Sequence, residues 1–355
     1  MSRKNYSSRK MQPMKRRQKT KRHDWEDLPL EELLDVKICD LGLKIEGTSL
    51  EPRVERLYNE LELRELDFRP HCWLSEEWFS PDGIPGIAIP FYLAHSRLMR
   101  LERRMMMEVE GGTEDWCMKI LRHECGHAID NAYGLHRKRS WTNTFGKYSQ
   151  PYPENYQPKP YSKSFVLHLD PFYAQSHPAE DFAETFAVWL KPRSAWRKHY
   201  AGWAALKKLE YVEDLMDEVP YMEPVSRTKM RVDSLPRLKK TLRDHYEERQ
   251  AKYMGESPID DDALLQLFTD DPKRRTMKAA AFFIKHKAEI RQVVSEWSGQ
   301  YKYTIDQVLK DLIFRCRELN LRLKSSERDT KRDALVLLAV QTMNYLHRGF
   351  NRYQL

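Results

Sequence analysis

Apolar side chains recur with a helical period along most of the chain, and one proline- and glycine-punctuated stretch breaks it. Residues 27–43 (DLPLEELLDVKICDLGL) set apolar positions behind early acids, which predicts a helix. Residues 49–66, opened by Ser49 with a proline soon after, predict a second. Residues 69–98 differ: they are rich in aromatics and β-formers and carry Pro81-Asp82-Gly83 and Pro85-Gly86, so two or three short strands joined by turns are expected. Helical spacing returns from about Thr113 to Ala132, with Gly134 placed to end the helix. It returns again over residues 178–190 (PAEDFAETFAVWL) and, as one long helix, over 194–219. Between these lies a loop-like, proline-rich stretch, 136–170, of a length that usually marks function or disorder.

Residues 220–236 hold three prolines and little periodicity, and make the best domain boundary. Beyond them, helices are expected near 236–254, 258–269, 273–298, 304–324 and 326–347, an all-α bundle with short connections. The expected fold class is therefore α+β and mostly helical. A domain over 23–225 carries a small sheet, and a helical domain spans 236–355.

Charge sharpens this division. The net charge of +8 is not spread evenly, because residues 1–22 hold ten Lys/Arg and no acid. Residues 23–230 hold 26 basic and 35 acidic side chains, and residues 231–355 hold 25 and 18. The acidic middle is a poor phosphate-binding surface, and only the tail offers weak, sequence-independent contact to polyanions. The tail reads as disordered rather than as a transit peptide, since Met1, Tyr6, Met11 and Met14 are its only sizeable apolar side chains and Pro13 interrupts any helix. No run approaches the roughly 18 apolar residues of a membrane span, so no membrane partner is expected. Five scattered cysteines without a CxxC pair suit free thiols and a cytoplasmic location.

The chemistry concentrates in LRHECGHAID, where His123, Glu124 and His127 form an HExxH motif. On a helix His123 and His127 lie about 40° apart around the axis, so both imidazoles can meet one zinc ion. Glu124 borders the same face, placed to act as general base on an attacking water without being a ligand. Cys125 lies about 200° away from His123 and reads as a packed thiol. Two histidines do not complete a zinc site. The metzincin continuation is excluded, because Asp130 and Tyr133 stand where that class needs Gly and His or Asp. Glu180 and Glu184, one turn apart in the next helix, are the better source of a ligand. The bland reading makes them a solvated acidic face; His177 is the rival third ligand, although with Pro178 after it the residue reads more readily as part of the helix entry. Asp130 either orients His127 or merely sits near the helix end. Asp181 reads as an exposed helix-start acid.

The HExGHA(I/V)D and E(D/F)FAE(T/A)F stretches resemble the catalytic domain of anthrax lethal factor and a bacterial family of zinc-binding metallopeptidases, both over about residues 119–190. The resemblance implies a zincin-like domain of the gluzincin type that binds one zinc per chain and hydrolyses a peptide or protein. It implies Glu180 as third ligand, Glu184 as the residue behind a ligand histidine, and Tyr173 as a contact to the substrate carbonyl. Tyr173 as a plain core aromatic remains open beside that role. By analogy, residues 83–94 would supply an edge strand for an extended substrate, with a simple core hairpin as the equal alternative. The competing function is a non-enzymatic, zinc-stabilised scaffold or a nucleic-acid-associated protein. The glutamate kept between the two histidines favours the enzyme, since a closed structural site has no use for it.

Overall fold

A computed structural model describes residues 23–153, 159, 161–169, 172–253, 261–271, 273–274, 276–298 and 302–345. The tail of residues 1–22, and with it the expected polyanion contact, lies outside them. In chain order the elements are α1 (Leu30–Leu34), α2 (Glu51–Glu62), β1 (His71–Ser75), β2 (Gly86–Pro90), α3 (Ser96–Met106), α4 (Glu114–Tyr133), α5 (Arg139–Phe145), α6 (Pro178–Leu190), α7 (Trp196–His199), α8 (Ala205–Glu218) and α9 (Leu242–Tyr253). They continue with α10 (Asp261–Leu267), β3 (Phe268–Thr269), α11 (Ala279–Ser298), α12 (Lys302–Glu318), β4 (Arg322–Leu323) and α13 (Glu327–Tyr345). The described residues are mostly helical with two small sheets.

Five expectations are corrected. The single helix over 27–43 is broken into short turns around α1, because the backbone there serves long-range partners. Ile38 N–H donates to Lys240 O at 3.0 Å, Cys39 N–H to Leu238 O at 2.9 Å, and Val36 O accepts from Leu242 N–H at 2.9 Å. The loop 136–170 contains α5, and the stretch 69–98 ends in α3, whose first turn is capped by His95 Nδ1 accepting from Arg97 N–H at 3.2 Å. The long helix over 194–219 splits into α7 and α8 around Gly202, whose φ of +78° is left-handed. The C-terminal third is not purely helical, since β3 and β4 pair antiparallel with Phe268 opposite Leu323.

β1 and β2 are parallel, with Trp73 opposite Ala88. On the other side of β2, Ala88 N–H donates to Phe79 O at 2.8 Å, and every residue of β2 is buried. The strand within 83–94 is therefore flanked on both sides and does not offer the open edge expected for a substrate. The connection between the strands is pinned to α4. Asn131 accepts from Gly83 N–H at 2.8 Å and donates to Pro81 O at 3.0 Å.

One apolar cluster runs from Trp25 to Tyr246 and a second from Leu264 to Leu338. Leu235, Leu238, Leu242 and Tyr246 belong to the first, so the apolar packing divides later along the chain than the prolines at 220–236. In the first cluster α4 and α6 lie in close contact. A Cβ on Gly126 would sit 2.8 Å from Ala183 Cα, so the glycine of HECGH is what lets α6 approach.

Candidate metal centre

α4 and α6 carry the donors, and local sequence explains why each starts where it does. Thr113 caps α4 by accepting from Trp116 N–H at 3.3 Å, and Gly134, with φ +62°, ends it. His177 caps α6 through Nδ1, which accepts from Ala179 N–H at 3.1 Å, and Pro178 fills the first helical position. All thirteen residues of α6 are buried, which turns its acids inward rather than to solvent.

His123 Nε2 lies 3.0 Å from Glu180 Oε2, His127 Nε2 lies 3.2 Å from the same oxygen, and the two Nε2 atoms are 3.2 Å apart. Zinc bonds of about 2.0–2.1 Å imply about 3.3 Å between neighbouring donors of a tetrahedron. The three atoms thus form a triangle of the size one face of such a site requires, and two imidazoles with one carboxylate are a donor set that suits zinc. His123 is almost fully buried whereas the His127 side chain is 17% exposed, so the triangle faces solvent on the His127 side.

Glu184 stands behind the triangle. Its Oε1 accepts from His123 Nδ1–H at 2.9 Å and its Oε2 from Leu169 N–H at 3.0 Å. A carboxylate can only accept, so a hydrogen of His123 sits on Nδ1, which makes Nε2 the nitrogen with a lone pair to offer an ion once the ring is neutral. Burial opposes charge on His123, yet hydrogen bonds to Glu180 and Glu184 carry its pKa well above the ordinary histidine value. Burial likewise opposes charge on His127, and the Glu180 charge raises it nonetheless. Burial would lift Glu180, but His127 and the hydrogen bonds from both imidazoles hold it well below the usual carboxylate range.

Glu124 is buried beside these groups, and its Oε2 has no hydrogen-bond partner among the described residues. Burial pushes its pKa up, with the two histidines partly offsetting it. The Tyr173 ring lies 5.5 Å from the His123 ring, in a short turn after Phe172, and burial followed by the charge of Glu180 raises its pKa well above the ordinary value.

The structure also places three other residues singled out in the sequence. Asp130 does not serve His127: its Oδ1 accepts from His136 N–H and its Oδ2 from His136 Nδ1, each at 2.7 Å. The turn after α4 brings His136 back onto it. His177 has both nitrogens engaged, Nδ1 at the helix cap and Nε2 donating to Gln150 O at 2.9 Å, so it is not a ligand here. Asp181 is buried rather than exposed; burial raises its pKa to about 7 against the pull of Lys208 at 2.5 Å. The residue that sequence reasoning missed is Tyr152, whose hydroxyl donates to Glu180 Oε1 at 2.8 Å. Its position in a proline-rich loop 28 residues before Glu180 gave no spacing to recognise; the length of that loop was the only signal.

Residues 117–202 match a family described as "Putative zinc-binding metallo-peptidase". That span contains every donor of the triangle and Glu124, Tyr173 and Glu184. No curated protein and no solved structure matches the chain. At a coarse level the family match supports a zinc-binding metallopeptidase. No helix among the described residues is long and apolar enough to cross a membrane.

Proposed function

We propose that this protein is a zinc-dependent peptidase with a zincin-like domain of the gluzincin type, in which His123, His127 and Glu180 hold one zinc ion. The observation that carries the reading is the buried, unpartnered Oε2 of Glu124 beside a triangle of three converging donors. A buried carboxylate oxygen without a partner is costly, and a closed structural zinc site has no use for one. Zinc, when bound, acidifies water and polarises the scissile carbonyl. Glu124 takes the proton of the water that attacks the carbonyl carbon and returns it to the leaving nitrogen as the C–N bond breaks. The raised pKa of Glu124 suits a group that must both accept and release a proton. Tyr173 donates to the oxygen on which charge develops. Glu184 keeps His123 in the tautomer and orientation that ligation needs.

The first apolar cluster forms the peptidase unit, and the second, from Leu264 onward, a separate helical unit. Substrates are peptides or proteins. The free cysteines accord with a cytoplasmic location.

The test is paired. Metal analysis of the purified protein should find close to one zinc per chain. Glu124→Gln should retain that zinc and lose peptide hydrolysis, because an amide cannot take the proton. A folded protein without zinc overturns the proposal, and unchanged hydrolysis by Glu124→Gln removes the general base.

A further inference from the structure

A carboxylate ligand has two equivalent oxygens, and a site that must leave a coordination position open for water has to keep one of them away from the ion. In the triangle only Glu180 Oε2 faces the two imidazoles. Its other oxygen is engaged: the Tyr152 hydroxyl donates to Oε1 at 2.8 Å. Tyr152 itself is 48% exposed, so its hydroxyl reaches in from the surface to an acid that is 3% exposed.

Two features hold the ring in that pose. It stacks on the His177 imidazole with centroids 3.9 Å apart and planes 16° from parallel. His177 in turn is fixed by the α6 cap and by Gln150 O, two residues before Tyr152. Pro151 and Pro153 flank the tyrosine and restrict its backbone. The same histidine that starts the ligand helix therefore also anchors the tyrosine that orients the ligand.

We propose that Tyr152 is a positioning residue for the metal site: by taking Oε1, it holds Glu180 to single-oxygen ligation and leaves the remaining position on the ion to water. This rests on the reading of Glu180 as a ligand. Loss of the hydroxyl frees Oε1 to turn towards the ion and loosens the carboxylate.

The experiment compares wild type, Tyr152→Phe, Tyr152→Leu and Glu180→Ala as full-length chains, each stripped of metal and titrated with Zn²⁺ against a chelator, then with Co²⁺ as an optical probe. Tyr152→Phe keeps the ring and its stacking and removes only the hydroxyl. It should weaken zinc binding about tenfold to a hundredfold. It should also lower the visible cobalt absorption, because a second carboxylate oxygen raises the coordination number from four. Far-UV circular dichroism should be unchanged. If Tyr152→Phe matches wild type in both titrations, the proposal is overturned, and a defect seen only in Tyr152→Leu assigns the residue to packing alone. Failure of the underlying reading looks different: wild type then takes up neither metal, or Glu180→Ala binds as tightly as wild type.

Discussion

Glu180 and Glu184 stand one helical turn apart on α6 and are both buried, yet their surroundings divide their work. Glu180 puts one oxygen between two imidazoles, whereas Glu184, among the described residues, bonds to the far nitrogen of His123 and to a backbone N–H. Glu180→Ala removes a charged donor and leaves two histidines, too few for a stable site, so zinc should be lost at ordinary metal concentrations. Glu184→Ala should weaken binding by about tenfold to a hundredfold and be rescued by added zinc. Parallel zinc titrations decide, and if Glu184→Ala is the variant that cannot be reloaded, the assignments exchange. Acid should compete with the metal in a defined direction. The pKa values of His123 and His127 are raised by their carboxylate partners, so the ion-free site holds protons at a pH where ordinary histidines have lost them. Zinc affinity should therefore be full only above those raised values and fall as pH drops through them, by up to about a hundredfold per unit while two protons are displaced. A zinc affinity that stays flat between about pH 8 and about pH 6 would contradict this. His123, Glu124 and His127 were readable because ligand chemistry repeats on a helix at fixed spacing. Tyr152 and the Asp130–His136 pair were not, because loops brought those partners together and loop spacing carries no period.

At the scale of elements, the site depends on how closely α4 and α6 approach, and Gly126 sets that distance. A methyl group there would meet Ala183 Cα at 2.8 Å and Ala183 Cβ at 3.3 Å. Alanine gains about 1 kcal/mol of helix propensity over glycine, while overpacking a tight contact costs about 1–3 kcal/mol. The contact is with backbone, which cannot swing aside, so the steric cost should win. Gly126→Ala should lower the melting temperature and also weaken zinc binding, since α6 would carry Glu180 and Glu184 away from His123. A variant as stable and as tight as wild type would show that the helices have slack. Both helices were legible in the sequence to within a residue at each end, because Thr113, Gly134, His177 and Pro178 mark their ends and buried faces fill the span. The stretch 27–43 misled for a physical reason. Its apolar spacing is helical, but its carbonyls and N–H groups are claimed by residues 238–242 far along the chain, and periodicity cannot register a partner two hundred residues away.

At the scale of the molecule, that long return decides where the first packed unit ends. The prolines at 220–236 suggest a cut near residue 225. The packing places Leu238, Leu242 and Tyr246 in the first apolar cluster, and Arg249 in a 2.7 Å ion pair with Glu102, which is 1% exposed. His245 adds a contact to Glu76 at 3.2 Å, next to the end of β1. A chain ending at 225 would lose these three side chains, each contributing about 1.5–3 kcal/mol of burial. It would also strand the Glu102 charge, at about 3–5 kcal/mol. That total is comparable with the whole stability of an ordinary domain, about 5–15 kcal/mol. A chain ending at 253 keeps all of them. It gives up contacts to the second cluster such as Lys302 with Glu108, a pair at 2.9 Å whose two side chains are each 22% exposed and which therefore adds little. The expectation is that residues 1–253 melt cooperatively and load one zinc, while residues 1–225 stay unfolded and bind none stably. Circular dichroism melts and zinc analysis on both truncations distinguish the outcomes. If the shorter chain folds and loads zinc equally well, the α9 return is dispensable. If the longer one fails as well, the two clusters fold as a single unit and α4 and α6 need the C-terminal third to stand.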